Sequence, residues 1–403
     1  MTDDTIVLER ELRELFATIP APPAPASWHR DDSPAGALAA LRLLGRRHRI
    51  ARGVAVTTAL AVAVTAVFVL VHRDTSVAAI SVYALPAAGE LSCSLPIWAL
   101  SNDRTTGFIV LDHGRATFRA VHTDGTTYVP ALARWVNVLP QMVAPDGRSY
   151  VTQTFSRRTT TIHVVDATGD RTVLKTEAPL NIFGFSSQGI LLIDMSREPG
   201  APGPSTSLNL KLLDPASGAL RPFPYPPPPF GSAREAGASS SASYSRSASV
   251  IWLTDYTPSS NSTTVRKYDL ATGVTTEWFD GRTNGQGHVE VVGTDAHGLP
   301  IVQLADRDLF HTNPASRAGI GQRTILLTAP HVSAVLNQGR VGDAGVAGNL
   351  SPLSVNDGDK VWLAADDGTI WMYSATAGFQ EVAKVVRTST QGPPGVAISG
   401  PCR

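Results

Sequence analysis

Cysteine is scarce in this 403-residue chain, which contains only Cys93 and Cys402. No C-x-x-C pair and no cluster of cysteine with histidine occurs, although structural zinc sites and dithiol redox centres need such groups. Familiar catalytic motifs are missing as well. There is no G-x-S-x-G elbow, H-E-x-x-H pair, Walker A loop, or G-x-G-x-x-G on a strand–helix unit. We therefore predict no catalytic residue, no metal and no cofactor.

The ten histidines are scattered, and two His–acid pairs come nearest to a chemical cluster. His288 and Glu290 are two residues apart, so they share one face if this segment is a strand. His297 follows Asp295 at the same spacing. Such a pair can orient a catalytic or metal-bound imidazole, but a surface pair is the commoner explanation.

An excess of charge is also lacking, because 34 basic residues balance 34 acidic ones. Without a global positive field, the composition does not indicate nucleic acid as a partner. Charge disappears altogether over residues 53–71, which are rich in Val and Ala. A helix rises about 1.5 Å per residue, so this stretch covers roughly 28 Å, close to the ~30 Å hydrocarbon core of a bilayer. We predict a single transmembrane helix here.

Two alternatives compete with that helix: a buried helix of a globular domain, and a cleaved signal peptide. Core helices rarely run so far without a polar face, and a signal peptide has its apolar region near the N-terminus. Here residues 1–52 precede the stretch, which favours an uncleaved anchor in the cell membrane. Five arginines crowd its N-terminal side: Arg42, Arg46, Arg47, Arg49 and Arg52. The positive-inside rule then places residues 1–52 in the cytoplasm and residues 72–403 in an extracytoplasmic domain.

The cytoplasmic tail contains one amphipathic segment, residues 5–19, which we predict to be a short helix. Its apolar residues follow helical spacing and form one stripe: Leu8, Leu12, Leu15 and Phe16. Such a stripe suits docking in a groove of a cytoplasmic partner, and a transiently helical tail is the alternative. The proline-rich residues 20–27 follow as an extended spacer.

Long amphipathic helices are lacking from about residue 77 onward, where short apolar runs alternate with turns rich in Gly, Asp, Ser and Thr. This texture predicts many short β-strands. Two kinds of turn alternate, a short one and a D-x-x-[ST]-G turn, and the unit recurs roughly every 40–60 residues. The matching segments include APDG (144–147), IHVVDATGD (162–170), LLDPASG (212–218) and YDLATG (268–273). The Asp of such a turn can accept from backbone amides, and the Gly adopts positive φ.

With these turns, the chain resembles the WD40-like and TolB-like β-propellers over about 300 residues. The resemblance implies an all-β, six-bladed propeller, with five or seven blades as alternatives. Propellers often close by completing the blade of one terminus with a strand from the other. Residues 77–84 are the candidate outer strand of the last blade, near 381–386. A Cys93–Cys402 disulfide would fasten the two ends, and two free thiols are the alternative.

Other conspicuous features have simple structural explanations. Asp366 and Asp367 fall in a D-D-G turn, where Asp is expected anyway. Residues 221–245 form the largest insertion, interpreted as a solvated spacer or a ligand-facing loop. Four tryptophans in strand runs indicate packing, with carbohydrate stacking as the alternative: Trp252, Trp278, Trp362 and Trp371.

The leading functional hypothesis is a non-enzymatic, membrane-anchored module whose extracytoplasmic propeller binds or senses a small ligand or an envelope protein. A propeller offers a rigid loop face suited to recognition. One alternative is an anchored hydrolase or lyase acting on an envelope substrate. Another is a structural envelope scaffold without a small ligand.

Overall fold

The computed structural model describes residues 80–85, 91–100, 105–121, 123–156, 159–195, 209–225, 239–257, 260, 262–281, 288–306, 316–387 and 395–403. The predicted membrane helix 53–71, the tail helix 5–19 and the spacer 20–27 lie outside these residues. Residues 226–238 of the large insertion also lie outside them. Within the ranges above, no helix combines the length and the apolar character that crossing a bilayer requires.

Strands dominate the described residues. In chain order they are β1 Ile80–Ala84, β2 Ser92–Leu100, β3 Thr105–Asp112, β4 Arg115–Val121, β5 Thr127–Val129, β6 Arg134–Val136, β7 Tyr150–Ser156, β8 Thr159–Asp166, β9 Gly169–Thr176, β10 Leu180–Ser186, β11 Gly189–Asp194, β12 Leu210–Leu213, β13 Leu220–Pro222, β14 Ser239–Ser245, β15 Val250–Thr257, β16 Ser262–Asp269, β17 Thr275–Asp280, β18 His288–Thr294, β19 Pro300–Ala305, β20 Gly321–Ala329, β21 Val332–Arg340, β22 Val355–Asp357, β23 Lys360–Ala364, β24 Thr369–Ser374, β25 Gly378–Arg387 and β26 Gly395–Ile398. Two single-turn 3₁₀ helices, Pro130–Leu132 and Pro140–Met142, lie between β5 and β7.

These strands form successive antiparallel sheets in which chain neighbours pair. The strand orders are β26-β2-β3-β4, β7-β8-β9, β10-β11-β12-β13, β14-β15-β16-β17, β18-β19-β20-β21 and β1-β25-β24-β23-β22, with a small β5-β6 hairpin. Middle strands such as β19 (PIVQLA) are buried throughout, whereas β9 (GDRTVLKT) is mostly exposed. A strand packed on both faces must be apolar on both, so this contrast follows from position within each sheet.

The alternating turns of the sequence all lie at one end of the sheets, which we call the turn end. In every four-stranded meander, the links between the first and second strands and between the third and fourth strands lie at this end. The link between the second and third strands lies at the opposite end of the sheet, which we call the link end. The D-x-x-[ST]-G segments link third to fourth strands. Asp214 Oδ1 accepts from the amide of Ala216 at 2.8 Å, and Gly218 closes the turn with φ 74°. The expected Asp and Gly roles are therefore confirmed.

Both ends of the described domain are built into sheets. Strand β1 pairs antiparallel with β25, from Ile80 opposite Arg387 to Ala84 opposite Ala383. At the other terminus, β26 pairs with β2, placing Ile398 opposite Ile97. The predicted outer strand is thus found at residues 80–84, and its residues 77–79 lie outside the described part.

Apolar clusters fill the space between consecutive sheets. One joins the β2 sheet to the β22–β25 sheet, and others follow around the chain between neighbouring sheets. Between the first and second sheets, Phe108, Tyr128 and Trp135 pack edge to face with ring centroids 5.2–5.4 Å apart. The sheets therefore follow one another around a closed, propeller-like, all-β fold, as expected from the repeats.

Candidate functional site

The structure joins Cys93 to Cys402, with their Cα atoms 5.6 Å apart. Arg403 continues past the bridge and exchanges two backbone hydrogen bonds with Ser94. Its guanidinium carbon lies 3.8 Å from the centre of the Tyr128 ring. This end of the chain is thus held by covalent, backbone and cation–π contacts. The predicted docking stripe Leu8, Leu12, Leu15 and Phe16 lies outside the described residues.

The two His–acid pairs differ in their surroundings. Asp295 is buried, and its Oδ1 accepts from the amides of His297 and Leu299 at 2.9 and 2.8 Å. Asp295 is therefore a turn residue, and His297 is exposed. In the second pair, Glu290 lies opposite Gln303 on β19. Across the described ranges, no group of three or more His, Cys, Asp or Glu side chains is placed to hold a metal ion.

The four tryptophans pack in the interior, each at most 8% exposed. Trp252 meets Trp278 edge to face at 4.9 Å, and Trp371 stacks on Phe379 at 4.8 Å. Trp252 Nε1 donates to the Gly298 carbonyl at 3.2 Å. These contacts agree with the packing interpretation.

A row of polar side chains crosses the β18–β21 sheet near its link end. Register places Glu290, Gln303, Thr324 and Asn337 opposite one another on four consecutive strands. Directly opposed residues project from the same face of a sheet. A polar row on strands whose neighbours are Val, Ile and Leu requires hydrogen-bonding partners on the facing element, because buried polar groups are costly when unpaired.

Residues 345–350, in the link between β21 and β22, supply those partners. Gln303 is 1% exposed, donates from Nε2 to the Gly348 carbonyl at 2.8 Å, and accepts from the Leu350 amide at 3.0 Å. Gln322, two residues before Thr324, donates from Nε2 to the same Gly348 carbonyl at 3.3 Å. Both amide side chains therefore fix the link against the sheet.

Asn337 fixes the preceding part of the same link. Its Nδ2 donates to the Gly345 carbonyl at 2.8 Å, and its Oδ1 accepts from the Ala347 amide at 3.0 Å. The side chains of the row thus bond backbone groups of residues 345–350 that no neighbouring strand pairs with, and they hold this irregular link in one conformation.

The fixed link in turn positions Asp366, which sequence analysis assigned only to a turn. Asp366 Oδ1 accepts from the Asn349 amide at 3.1 Å, and its Oδ2 accepts from Nη1 of Arg317. Burial raises the pKa of Asp366, and the Arg317 charge opposes that rise. Asp367 beside it binds the Thr369 amide and hydroxyl and lies 3.4 Å from Lys384 Nζ. Asp366 therefore joins the link to a second sheet.

A pocket of about 380 Å³ opens at the same end of the β18–β21 sheet. Its lining combines both signs of charge, two amide side chains, two glycines and one leucine: Leu304, Asp306, Gly321, Gln322, Arg323, Gln338 and Gly339. Gln322 is anchored through its Nε2, whereas its buried Oε1 has no hydrogen-bond partner among the described residues. A residue of the pocket lining therefore carries a hydrogen-bond acceptor without a partner among the described residues.

Two of the glycines are required by close approach. A Cβ on Gly321 would stand 2.2 Å from Asp306 Oδ2, and one on Gly339 would stand 2.4 Å from Val346 Cγ2. Gly321 therefore lets the Asp306 carboxylate lie across the start of β20. The signal that could have found this site was the run G-Q-R-T at the start of an otherwise apolar strand.

No protein-family model matches the sequence, and no curated protein matches it. Among solved structures, the chain is similar to TolB from Acinetobacter baumannii, at 15% identity over 76% of this chain and 67% of that one, with a TM-score of 0.37. The β-propeller domain of the Trilobed protease from Pyrococcus furiosus matches at 11% identity, over 76% and 92%, with a TM-score of 0.39. An oligogalacturonate lyase from Vibrio parahaemolyticus matches at 10% identity, over 74% and 75%, with a TM-score of 0.34.

Proposed function

We propose that this chain is a single-pass membrane protein whose extracytoplasmic, six-bladed propeller reversibly binds a small polar ligand in the pocket beside Gln322. Blade one comprises β26 with β2–β4, and blade six comprises β22–β25 with β1. The observation that carries the binding proposal is that Gln322, whose Oε1 has no partner among the described residues, lines the same pocket as Asp306 and Arg323.

The chemistry of the lining defines the ligand class. Gln322 Oε1 and the Asp306 carboxylate accept hydrogen bonds, whereas Arg323 and the Gln338 amide can donate. A complementary ligand therefore carries N–H or O–H donors together with a carbonyl or carboxylate oxygen. Because the fixed link preorganises Gln322, little ordering is needed when such a ligand binds.

The binding proposal is tested by thermal unfolding of the full chain in detergent against a panel of amino acids, dipeptides and small sugars. We expect compounds of one class to raise Tm saturably. The Asp306→Ala variant should bind the stabilising compound with at least tenfold lower affinity. The matched control is Asp359→Ala, an exposed acid at the turn end of another sheet. The proposal is wrong if no compound of the panel binds, or if both variants bind as the wild type does.

The membrane topology is supported by the uncharged residues 53–71 and the arginines before them. Protease added to spheroplasts should digest residues 72–403 and spare residues 1–52; the reverse pattern would refute this orientation. We further propose that the stripe Leu8, Leu12, Leu15 and Phe16 docks on a cytoplasmic partner. Unchanged interaction partners after deletion of residues 1–20 would contradict that role.

A further inference from the structure

A second polar site lies at the turn end, where the link after β14 meets the segment before β7. Arg246 donates from Nη2 to the carbonyls of Gln141 and Val143, at 3.2 and 2.5 Å. The first of these contacts joins residues 105 positions apart in the chain. Arg246 therefore reaches from the β14–β17 sheet past β10 to the lead-in of the β7–β9 sheet.

Within the described part of the chain, the Arg246 guanidinium has no counter-ion, whereas two comparable arginines have one. Arg266 pairs with Asp255 at 2.5 Å, and Arg317 pairs with Asp366. Among the described residues, Arg246 has only the two carbonyl oxygens as acceptors, so its Nε and Nη1 donors are unused. Arg246 is partly buried, and desolvation lowers its pKa. A buried cation without an anion is costly.

Tyr244 completes the surroundings of Arg246. Tyr244 lies in β14, and Arg246 follows in the turn after that strand. The two side chains are close enough to interact electrostatically, and burial raises the pKa of Tyr244 to about 12 against the opposing effect of the Arg246 charge. The Tyr244 hydroxyl is buried and has no hydrogen-bond partner in the described part of the chain. A Cβ on Gly184 of β10 would lie 3.1 Å from the Tyr244 ring and 3.3 Å from the Gln141 carbonyl. Glycine at this position therefore lets β10 pack closely against the Tyr244 ring and the Gln141 carbonyl.

We propose that Arg246 and Tyr244 form a binding site for an oxyanion of a ligand, either a phosphate or a carboxylate. Nη1 or Nε of the guanidinium can make one charge-assisted hydrogen bond to either group, and the tyrosine hydroxyl adds one donor. The anion would neutralise a partly buried charge that has no counter-ion among the described residues. This site lies at the turn end, away from the pocket beside Gln322, and does not depend on the pocket proposal.

The test uses the full chain in detergent, with inorganic phosphate and acetate as separate probes and chloride at matched ionic strength as reference. We expect phosphate or acetate to raise Tm saturably beyond chloride, and the stronger probe identifies the source of the anion. Arg246→Met should abolish this shift. The matched control is Arg171→Met, because Arg171 is an exposed arginine that also donates to a carbonyl, that of Pro215. This variant should keep the increase in Tm that the anion produces.

Tyr244→Phe keeps the proposal testable if Arg246→Met fails to fold, because it removes a single hydroxyl. Loss of one hydrogen bond to a charged group should raise the dissociation constant about tenfold. Equilibrium dialysis with labelled phosphate or acetate measures it directly. The proposal is overturned if neither anion stabilises the wild type beyond chloride, or if Tyr244→Phe binds as tightly as the wild type.

Discussion

The two ends of the sheets use the same kinds of side chain differently. At the turn end, Asp166 and Asp214 bond to amides two residues ahead of them, within their own turns. At the link end, Gln303 and Asp366 bond to groups 47 and 17 residues away. The acids of the turn end therefore bond within their own turns, whereas Gln303 and Asp366 bond to a separate segment of the chain. The pocket beside Gln322 therefore lies at the link end, where the repeated turn sequences are absent.

The largest effect should come from the disulfide at the turn end. Reducing Cys93–Cys402, or replacing both residues by Ser, should lower the free energy of unfolding by about 2–5 kcal/mol, because the bridge restricts a very long loop in the unfolded chain. Urea unfolding of the full chain, with and without reductant, measures this. Reductant should not affect the double Ser variant. Equal stability of oxidised and reduced wild type would contradict the prediction.

The next effect tests the long-range contacts of the link end. Gln303→Leu removes the acceptor of the buried Leu350 amide and one donor to Gly348, so we expect a loss of about 2–3 kcal/mol in urea unfolding. The matched control at the turn end is Gln188→Leu, an exposed position where the change should stay within about 0.5 kcal/mol. Equal effects at the two positions would remove the distinction between the ends.

A third variant separates binding from stability. Gly321→Ala displaces the exposed Asp306 carboxylate, whose side chain can rotate away, so the free energy of unfolding should change by less than about 1 kcal/mol. Affinity for the stabilising compound of the panel should nevertheless fall at least tenfold, as in Asp306→Ala. Isothermal titration compares the two variants. Wild-type affinity in Gly321→Ala would show that binding does not require the Asp306 carboxylate at its present position.

The smallest effect is a pH dependence of opposite sign at the two ends. The Ser217 hydroxyl and the Ala216 amide lower the pKa of Asp214, so its contribution to stability is present above the unfolded pKa near 4 and is lost as pH falls through the lower folded value. The difference in Tm between wild type and Asp214→Asn should therefore shrink in acid.

Asp366 should behave in the opposite way. Burial raises its pKa, so the stability it contributes is present below the unfolded value and is lost as pH rises through the higher folded value. The difference in Tm between wild type and Asp366→Asn should therefore fall as pH rises from about 4 towards neutrality. Parallel pH profiles for the two variants would contradict the contrast between the ends.

Sequence analysis could predict the parts of the fold that local chemistry determines. The D-x-x-[ST]-G turns, the short apolar strands and the strand at residues 80–84 all follow from spacing and turn residues. Gln303 and Gln322 could not be assigned in this way, because a polar residue in a strand usually indicates a solvent-facing position. Their partner is an irregular link, and Arg246 reaches carbonyls more than 100 residues away. No local pattern encodes such contacts.

The order of β1, Cys93 and Cys402 along the chain has a mechanical consequence. Residues 80–84 precede Cys93, so β1 lies outside the covalent loop that the disulfide closes. Tension applied through the residues before β1 would load its pairing with β25, while the sheets between the two cysteines stay covalently tied. We expect such a pull to peel β1 first and leave the rest of the ring folded, so that this strand yields under load before the binding sites do.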